Sequence, residues 1–200
     1  MLKKLLKNKK FLLVIKKFLK QKGILDIILF GSIVRGKEKP EDIDLLILYC
    51  KKQDIELNFR IRKELEKIGL NPEIVGKTYK EAFDPEFLAR ESILQEGYSM
   101  KKRKFLASCF GYSNFVLLKY KLQKMNKSER MRFYYSLYGR GGKKGVLEKN
   151  SCYKFSESII ISPVERLEEI KSFLESWKIK YVEIPVLIPK RIVDYKIFEK

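Results

Sequence analysis

Two short apolar runs, separated by a segment that contains glycine and proline, constrain the fold of this 200-residue chain more than any other feature. The runs are ILDIILF at 24–30 and IDLLILY at 43–49, and GSIVRGKEKPED at 31–42 lies between them. A continuous apolar run of this length, bounded by turn residues, is typical of a buried strand. Glycine and proline in the intervening segment indicate a turn or loop. The sequence therefore predicts two buried strands joined by a polar loop.

Further periodic patterns in the first hundred residues predict a complete domain. Leucine and isoleucine recur at near-helical spacing near the N-terminus, with lysines between them, and Gly23 ends that pattern. A third strand is predicted at 70–76, where Pro72 is unfavourable for strand structure. The order of elements predicts an α+β domain over residues 1–100. The additional predicted elements are helices at 2–20, 54–68 and 86–97 and a strand at 70–76.

The composition changes at KKRK, residues 101–104, which predicts the start of a second domain over residues 101–200. This half is expected to be a smaller, basic α+β domain, and its sequence resembles no family that we recognise. Its predicted elements are helices at 113–124, 128–138 and 163–177, strands at 158–162 and 181–188, and a glycine-rich basic loop, GRGGKKG, at 139–145.

The positive charge of the chain is concentrated in two segments. The chain has 44 Lys and Arg against 25 Asp and Glu, a net charge of +19. Residues 1–22 contain nine lysines and no acidic residue, and residues 101–149 contain fourteen basic and two acidic residues. Localised positive charge is the electrostatic signature of a nucleic-acid-binding protein. The alternative is that the lysines only keep the protein in solution.

Residues 101–149 also contain nine aromatic residues. Exposed rings stack on unpaired bases while basic side chains neutralise phosphates, so this composition favours single-stranded nucleic acid. The alternative is that most of these rings belong to the core. The loop at 139–145 likewise either follows a phosphate backbone or is a helix end with a solvated loop.

Histidine is absent from the sequence, which excludes a Ser-His-Asp triad and histidine-ligated metals. Cys50, Cys109 and Cys152 are far apart and odd in number, so they indicate neither a disulfide framework nor a zinc site. No apolar run reaches the roughly 20 residues of a membrane span. The apolar stretch at 11–15 is too short for a signal peptide. We therefore expect a cytoplasmic protein without a membrane partner, in which the basic N-terminal helix packs on the domain rather than lying on a membrane surface.

Two carboxylates, Asp42 and Asp44, are separated by one residue. On a strand they point to the same face, while Ile43 and Leu45 point to the other. Two neighbouring carboxylates among apolar residues repel each other and are costly to desolvate, and a divalent cation removes that cost. Hard oxygen ligands that leave positions open for substrate phosphates are typical of Mg²⁺.

Gly31 and Ser32 follow the first buried strand directly. Glycine permits a tight turn and a close backbone approach, so backbone N–H groups and the serine hydroxyl can bind phosphate oxygens. A phosphate-binding turn beside a metal-binding carboxylate pair is what phosphoryl or nucleotidyl transfer requires.

These residues resemble the motif of the nucleotidyltransferase superfamily of the DNA polymerase beta type, and in particular the small minimal nucleotidyltransferases of prokaryotes and archaea. Glu41 departs from the motif, because serine is common just before the first aspartate. The matching residues are Gly31-Ser32-Ile33-Val34-Arg35-Gly36 and then Asp42-Ile43-Asp44-Leu45-Leu46-Ile47.

The resemblance covers about residues 1–100 and implies a mixed sheet with flanking helices, two Mg²⁺ ions and an NTP substrate. It also implies a third carboxylate on a later strand, for which Glu73 fits best by order and spacing, with Asp54 and Glu56 as alternatives. Asp42, Asp44 and Glu73 are then the catalytic and metal-binding residues. The implied nucleotide-binding residues are Gly31, Ser32 and Arg35, of which Arg35 either supports the triphosphate charge or braces the loop.

The resemblance implies transfer of a nucleoside monophosphate to a hydroxyl group, and the basic second half favours RNA as the acceptor. Two alternatives remain: nucleotidylation of a partner protein, as in toxin–antitoxin pairs, and an inactive RNA- or ribosome-binding protein on the same fold. The candidate nucleic-acid-binding residues are Lys101, Lys102, Arg103, Lys104, Arg140, Lys143 and Lys144.

Overall fold

A computed structural model describes residues 2–123 and 125–194 and divides the chain into two units, Met1–Phe110 and Gly111–Lys200. The first unit ends at Phe110 rather than at residue 100, because the KKRK segment lies in a hairpin of its sheet. Within the described ranges, no helix combines the length and the apolar character that crossing a bilayer requires.

The first unit is built on a five-stranded mixed sheet with the strand order β3-β2-β1-β4-β5. β2 and β3 are parallel, and the pairs β1–β2, β1–β4 and β4–β5 are antiparallel. The predicted mixed sheet with flanking helices is therefore confirmed. Its elements are α1 Leu2–Leu5, α2 Lys9–Leu19, β1 Ile24–Phe30, α3 Ser32–Arg35, β2 Ile43–Tyr49, α4 Ile55–Glu66, β3 Pro72–Thr78, α5 Tyr79–Ala82, α6 Arg90–Glu96, β4 Tyr98–Ser99, β5 Lys104–Phe105 and α7 Leu106–Cys109.

The two apolar runs form β1 and β2, the central strands, as the sequence predicts. Ile27 and Leu45 on one face of the sheet and Ile28 and Leu46 on the other are all buried, so both faces are covered at these strands. The parallel partner β3 requires a crossover connection, which α4 provides. This crossover places the N-terminal ends of β2 and β3 side by side.

The N-terminal pattern forms two helices rather than the single helix predicted over 2–20. Asn8 begins the second helix, α2, and its side chain accepts a hydrogen bond from the N–H of Phe11 at 3.2 Å. Phe11, Ile15 and Phe18 are buried against the domain, while most of the lysines of α2 point outward. Hydrophobic periodicity alone does not reveal a capped break of this kind.

The second unit contains a four-stranded antiparallel sheet with the strand order β11-β6-β10-β9 and a separate hairpin, β7–β8. Its core includes the buried ring of Phe133, whose centroid lies 5.8 Å from that of Tyr120 and 5.7 Å from that of Phe173. Several aromatic residues of this half are thus core residues. The elements are β6 Tyr112–Tyr120, α8 Lys127–Tyr138, β7 Gly139–Arg140, β8 Lys143–Lys144, α9 Val146–Lys149, β9 Tyr153–Ser156, β10 Ile159–Pro163, a 3₁₀ turn Val164–Arg166, α10 Leu167–Ser176, β11 Tyr181–Pro189 and α11 Lys190–Asp194.

Two predictions for the second half are wrong. The helix predicted over 113–124 is strand β6, whose aromatic and β-branched residues suit a strand, and short apolar runs do not separate the two structures by periodicity. Lys124, at the end of that prediction, lies outside the described residues. The segment 139–145 is a hairpin rather than an irregular loop, because Gly141 and Gly142 both adopt positive φ angles, 58° and 78°. This is the backbone that a two-residue hairpin turn requires.

Candidate nucleotide and metal site

Three carboxylates meet at the N-terminal ends of β2 and β3. Asp42 immediately precedes β2, Asp44 is the second residue of β2, and Glu73 is the second residue of β3. The parallel register sets Glu73 directly opposite Asp44. One carboxylate oxygen from each residue lies within 4.8 Å of the other two. Three hard oxygen donors at this spacing fit a Mg²⁺ ion and leave other coordination positions for substrate oxygens.

The two alternatives for the third carboxylate lie elsewhere. Asp54 caps α4, where its side chain accepts a hydrogen bond from the N–H of Leu57 at 2.9 Å. Glu56 is in the first turn of the same helix, beyond the opposite end of β2. Of the three sequence candidates, the structure therefore brings only Glu73 to Asp42 and Asp44.

The Asp44 carboxylate is in an environment that disfavours its negative charge. Burial raises the pKa of Asp44 above its usual value, and the neighbouring charges of Asp42 and Glu73 raise it further. The guanidinium of Arg35 and the backbone N–H of Ser32 oppose this effect. The nearby positive charge thus does not offset the burial of Asp44 and its anionic neighbours, and a bound divalent cation would stabilise the ionised carboxylates.

Gly31 allows the turn after β1 to approach Asp44 closely. Its backbone has φ 76° and ψ −157°, a region that is essentially restricted to glycine. A Cβ atom at this position would lie 2.7 Å from Cγ of Asp44 and would overlap Oδ2 of the same side chain. The glycine is thus required both by the backbone conformation and by the neighbouring carboxylate.

Glu96, at the end of α6, is a residue of the site that the sequence analysis missed. Its side chain is buried, and Oε1 accepts hydrogen bonds from the N–H of Gly31 at 3.0 Å and from Nη1 of Arg35 at 2.9 Å. Oε2 also accepts from Nη1 of Arg35, at 3.1 Å. One sequence signal was present: Glu96 follows Ile93 by three residues, so this charged residue lies on the core-facing side of its helix.

These contacts change the expected roles of the Gly31–Ser32 turn. The N–H of Gly31 is bonded to Glu96, and the N–H of Ser32 is bonded to Asp44. The Arg35 guanidinium pairs with Glu96, which corresponds to the bracing role among its two predicted alternatives. Within the described part of the chain, the hydroxyl of Ser32 makes no hydrogen bond. It is therefore the group of the turn best placed to bind a phosphate oxygen.

The candidate nucleic-acid-binding residues fall in different units. Residues 101–104 belong to the first unit, at the turn and second strand of the β4–β5 hairpin, and all four are exposed. Arg140, Lys143 and Lys144 belong to the second unit and are exposed on the β7–β8 hairpin. The Arg140 guanidinium lies 4.4 Å from the centroid of the Tyr135 ring. Lys144 forms an exposed ion pair with Glu148 at 2.8 Å.

The raised pKa of Asp44 predicts how the stability of the metal-free protein depends on pH. Because the pKa in the folded state lies above the ordinary value of 3.8, the folded protein holds this proton more tightly than the unfolded chain does. The contribution of Asp44 to the free energy of unfolding should therefore fall as the pH rises from about 4 through the raised pKa. Urea unfolding in EDTA at a series of pH values measures this decline.

Saturating Mg²⁺ should flatten this decline, because the ion binds the ionised carboxylates of the folded state. Burial also raises the pKa of Glu96, which therefore contributes to the same decline of stability with pH. This contribution should remain when Asp44 is replaced by Asn. Glu64 and Glu81, whose pKa values are lowered by their hydrogen-bond partners, give a slope of the opposite sign, so the wild type is compared with Asp44→Asn. A wild-type unfolding free energy that falls no more steeply with pH than that of the variant would contradict a raised pKa for Asp44.

The first unit is similar to proteins of a known family. Residues 14–104 match the family model described as Polymerase beta, Nucleotidyltransferase. A mutant MntA–HpeT toxin–antitoxin structure is 14% identical, with 44% of this chain and 70% of that chain covered and a TM-score of 0.36. A toxin–antitoxin structure with AMP-PNP is 17% identical, with coverages of 44% and 71% and a TM-score of 0.36.

A third structure contains a tri-AMPylated HEPN toxin from Shewanella oneidensis in complex with MNT antitoxin; it is 15% identical, with coverages of 55% and 84% and a TM-score of 0.35. No curated protein gives a significant sequence match. The family match coincides with the sheet that carries the Gly31–Ser32 turn and the three carboxylates. The part of the chain from residue 14 to residue 104 is a nucleotidyltransferase domain of the polymerase beta family.

Proposed function

We propose that this protein transfers a nucleoside monophosphate from an NTP to a hydroxyl group in a Mg²⁺-dependent reaction, and that the acceptor is RNA. The observation that carries the proposal is the convergence of Asp42, Asp44 and Glu73 beside the Gly31–Ser32 turn. These carboxylates would hold two Mg²⁺ ions, which would supply activation of the attacking hydroxyl and stabilisation of the leaving pyrophosphate.

Each residue of the site has a distinct task in this proposal. Asp42 and Asp44 hold the ions, and Asp44 is fixed for this by the N–H of Ser32. Glu73 is exposed, whereas the two aspartates are partly buried, so Glu73 is best placed to pass the proton of the acceptor hydroxyl to solvent. The Ser32 hydroxyl donates a hydrogen bond to the triphosphate.

The choice of RNA as the acceptor is supported by the β7–β8 hairpin of the second unit. Arg140, Lys143 and Lys144 are exposed there on a short two-stranded scaffold. A guanidinium that stacks on a tyrosine ring, as Arg140 does on Tyr135, keeps its N–H groups available for a phosphate. The Tyr135 ring is half-buried, so the support for RNA comes from the three basic side chains, which can neutralise phosphates.

The test is the incorporation of α-labelled NTPs, supplied one at a time with Mg²⁺ and total cellular RNA. A variant with Asp42→Ala and Asp44→Ala is assayed in parallel. Label that enters RNA only with the wild-type protein supports the proposal and identifies the nucleotide. Label that enters protein instead identifies a partner protein as the acceptor. If no label is transferred and both proteins bind RNA equally, the chain is an inactive RNA-binding protein on this fold.

Replacement of Arg140, Lys143 and Lys144 by alanine is expected to lower the affinity for RNA and to make that affinity less sensitive to salt. For single strands, each lost phosphate contact lowers the slope of log K against log salt by about 0.7, so the slope should fall by about 2. Titration of a labelled single-stranded RNA at several salt concentrations measures the slope. An unchanged slope would exclude the hairpin as the RNA-binding surface. A matched control replaces three exposed lysines elsewhere in the same unit, Lys127, Lys149 and Lys180.

A further inference from the structure

We propose that Glu96 is a positioning residue of the site: it holds Arg35 away from the metal-binding carboxylates and fixes the Gly31–Ser32 turn. This inference rests on the proposed function, since it assumes that Asp42, Asp44 and Glu73 bind divalent cations. It assigns a task to a residue that touches neither the expected ions nor the substrate.

Glu96 connects two parts of the site through a single carboxylate. Oε1 accepts from the backbone of Gly31 at 3.0 Å and from Arg35 at 2.9 Å, and Oε2 accepts from Arg35 at 3.1 Å. The carboxylate is almost fully buried, with 4% of the residue exposed, whereas one third of the Arg35 side chain is exposed. The negative charge of Glu96 therefore lies inside the domain, and the Arg35 guanidinium contacts it from the surface.

The buried negative charge of Glu96 is by itself unfavourable for the stability of the fold. Burial raises its pKa, and the charge of Asp44 adds to that effect, while Arg35 and the Gly31 N–H only partly compensate. Replacing a whole buried ion pair by neutral residues of similar volume is often neutral or stabilising, so the pair of Glu96 with Arg35 is not required for stability alone. A glutamine at this position can still accept a hydrogen bond from Gly31, but it cannot neutralise Arg35. The structure thus contains a costly buried charge whose distinctive contribution is to pair with Arg35.

The consequence of losing that pair follows from the position of Arg35. Its guanidinium is near enough to Asp44 to lower the pKa of that carboxyl. Without the carboxylate of Glu96 beside it, the guanidinium acts more strongly on Asp44, the metal-binding carboxylate whose pKa it already lowers. An arginine that pairs with Asp44 competes directly with a divalent cation for that carboxylate. Glu96 therefore keeps the metal ligands available by giving Arg35 another partner.

The experiment compares three variants of the full chain: Glu96→Gln, Arg35→Gln and the double variant. Mn²⁺ is the probe, and its binding is measured by electron paramagnetic resonance, so that the result does not depend on enzymatic turnover. Removal of a residue that positions metal ligands typically weakens metal binding by about 10- to 100-fold. We expect a loss in this range for Glu96→Gln, with an unfolding temperature in EDTA close to that of the wild type, because one third of the Arg35 side chain is exposed and water can solvate the guanidinium that loses its partner.

The double variant decides between positioning and simple structural support. Once Arg35 is also removed, its competition for Asp44 is gone, so Mn²⁺ affinity should return to within about threefold of the wild type. The single variant Arg35→Gln leaves a buried charge without its partner and should be the least stable of the three. If Glu96→Gln does not fold, the comparison of the double variant with the wild type still tests the inference, because a lasting tenfold loss in the double variant would contradict it.

The outcomes separate this inference from the proposed function. Equal Mn²⁺ affinity in the wild type and Glu96→Gln would overturn the positioning role and leave the proposed function standing. Normal Mn²⁺ binding in the wild type without any nucleotidyl transfer would overturn the proposed function and leave the positioning role standing. Weak binding in Glu96→Gln that the double variant restores, together with a normal unfolding temperature, is the result that supports it.

Discussion

Replacing Asp44 by asparagine is expected to lower the rate constant for nucleotidyl transfer by about a thousandfold, which corresponds to about 4 kcal/mol of transition-state free energy. Asparagine keeps the size of the side chain but removes the negative charge at the centre of the carboxylate group. The measurement is single-turnover transfer from a labelled NTP at saturating Mg²⁺. A thousandfold loss would require that Asp44 acts in the chemical step and not merely in the packing of β2.

The same substitution should leave the metal-free protein at least as stable as the wild type. The Asp44 carboxylate is partly buried and is repelled by Asp42 and Glu73, so its ionised form opposes folding when no cation is present. Added Mg²⁺ should raise the unfolding temperature of the wild type, because a ligand that binds only the folded state stabilises it, and this increase should disappear in the variant. Differential scanning calorimetry in EDTA and in Mg²⁺ measures both effects.

Asp54→Asn is the matched control for Asp44→Asn. It makes the same chemical change at a helix cap, where asparagine serves as well as aspartate, and it lies beyond the opposite end of β2. Transfer by this variant should remain within about threefold of the wild type. If Asp44→Asn retained transfer within tenfold of the wild type, the carboxylate group would not be the catalytic centre.

The sequence could predict the parts of the site that depend on local patterns. Two apolar runs predict β1 and β2, and the alternation along a strand predicts that Asp42 and Asp44 share a face. The prediction of Glu73 could not be made from a local pattern, since it follows from the strand order and from the family resemblance. The parallel register that sets it opposite Asp44 is a property of the folded sheet.

The contact between Gly31 and Glu96 could not be predicted because 65 residues separate its partners. Nothing in a local pattern states which buried group a charged residue on the core side of a helix will meet. The error at β6 has a different origin, because its aromatic and aliphatic residues satisfy both helical and strand spacing. There the neighbouring strands β10 and β11 decide the structure.

Gly31→Ala is expected to destabilise the first unit by about 3 kcal/mol or more. A residue with a side chain in this glycine-only backbone region costs about 1–3 kcal/mol, and the overlap with Asp44 adds a cost of similar size. Since the carboxylate must move to relieve the overlap, transfer should also fall by at least about a hundredfold at temperatures where the protein remains folded. Urea unfolding and single-turnover transfer measure the two effects.

Gly69→Ala is a control for a side chain placed at a positive φ angle without an overlap. Gly69 has nearly the same φ angle, 77° against 76° for Gly31, but a Cβ atom there would have no neighbour within 4 Å among the described residues. This control should cost about 1–2 kcal/mol and leave transfer by the folded protein unchanged. Equal losses of stability and activity in the two variants would mean that the turn tolerates a displaced Asp44. A much larger loss of transfer in Gly31→Ala would show that the glycine is required because the metal-binding carboxylate occupies the space where a side chain would be.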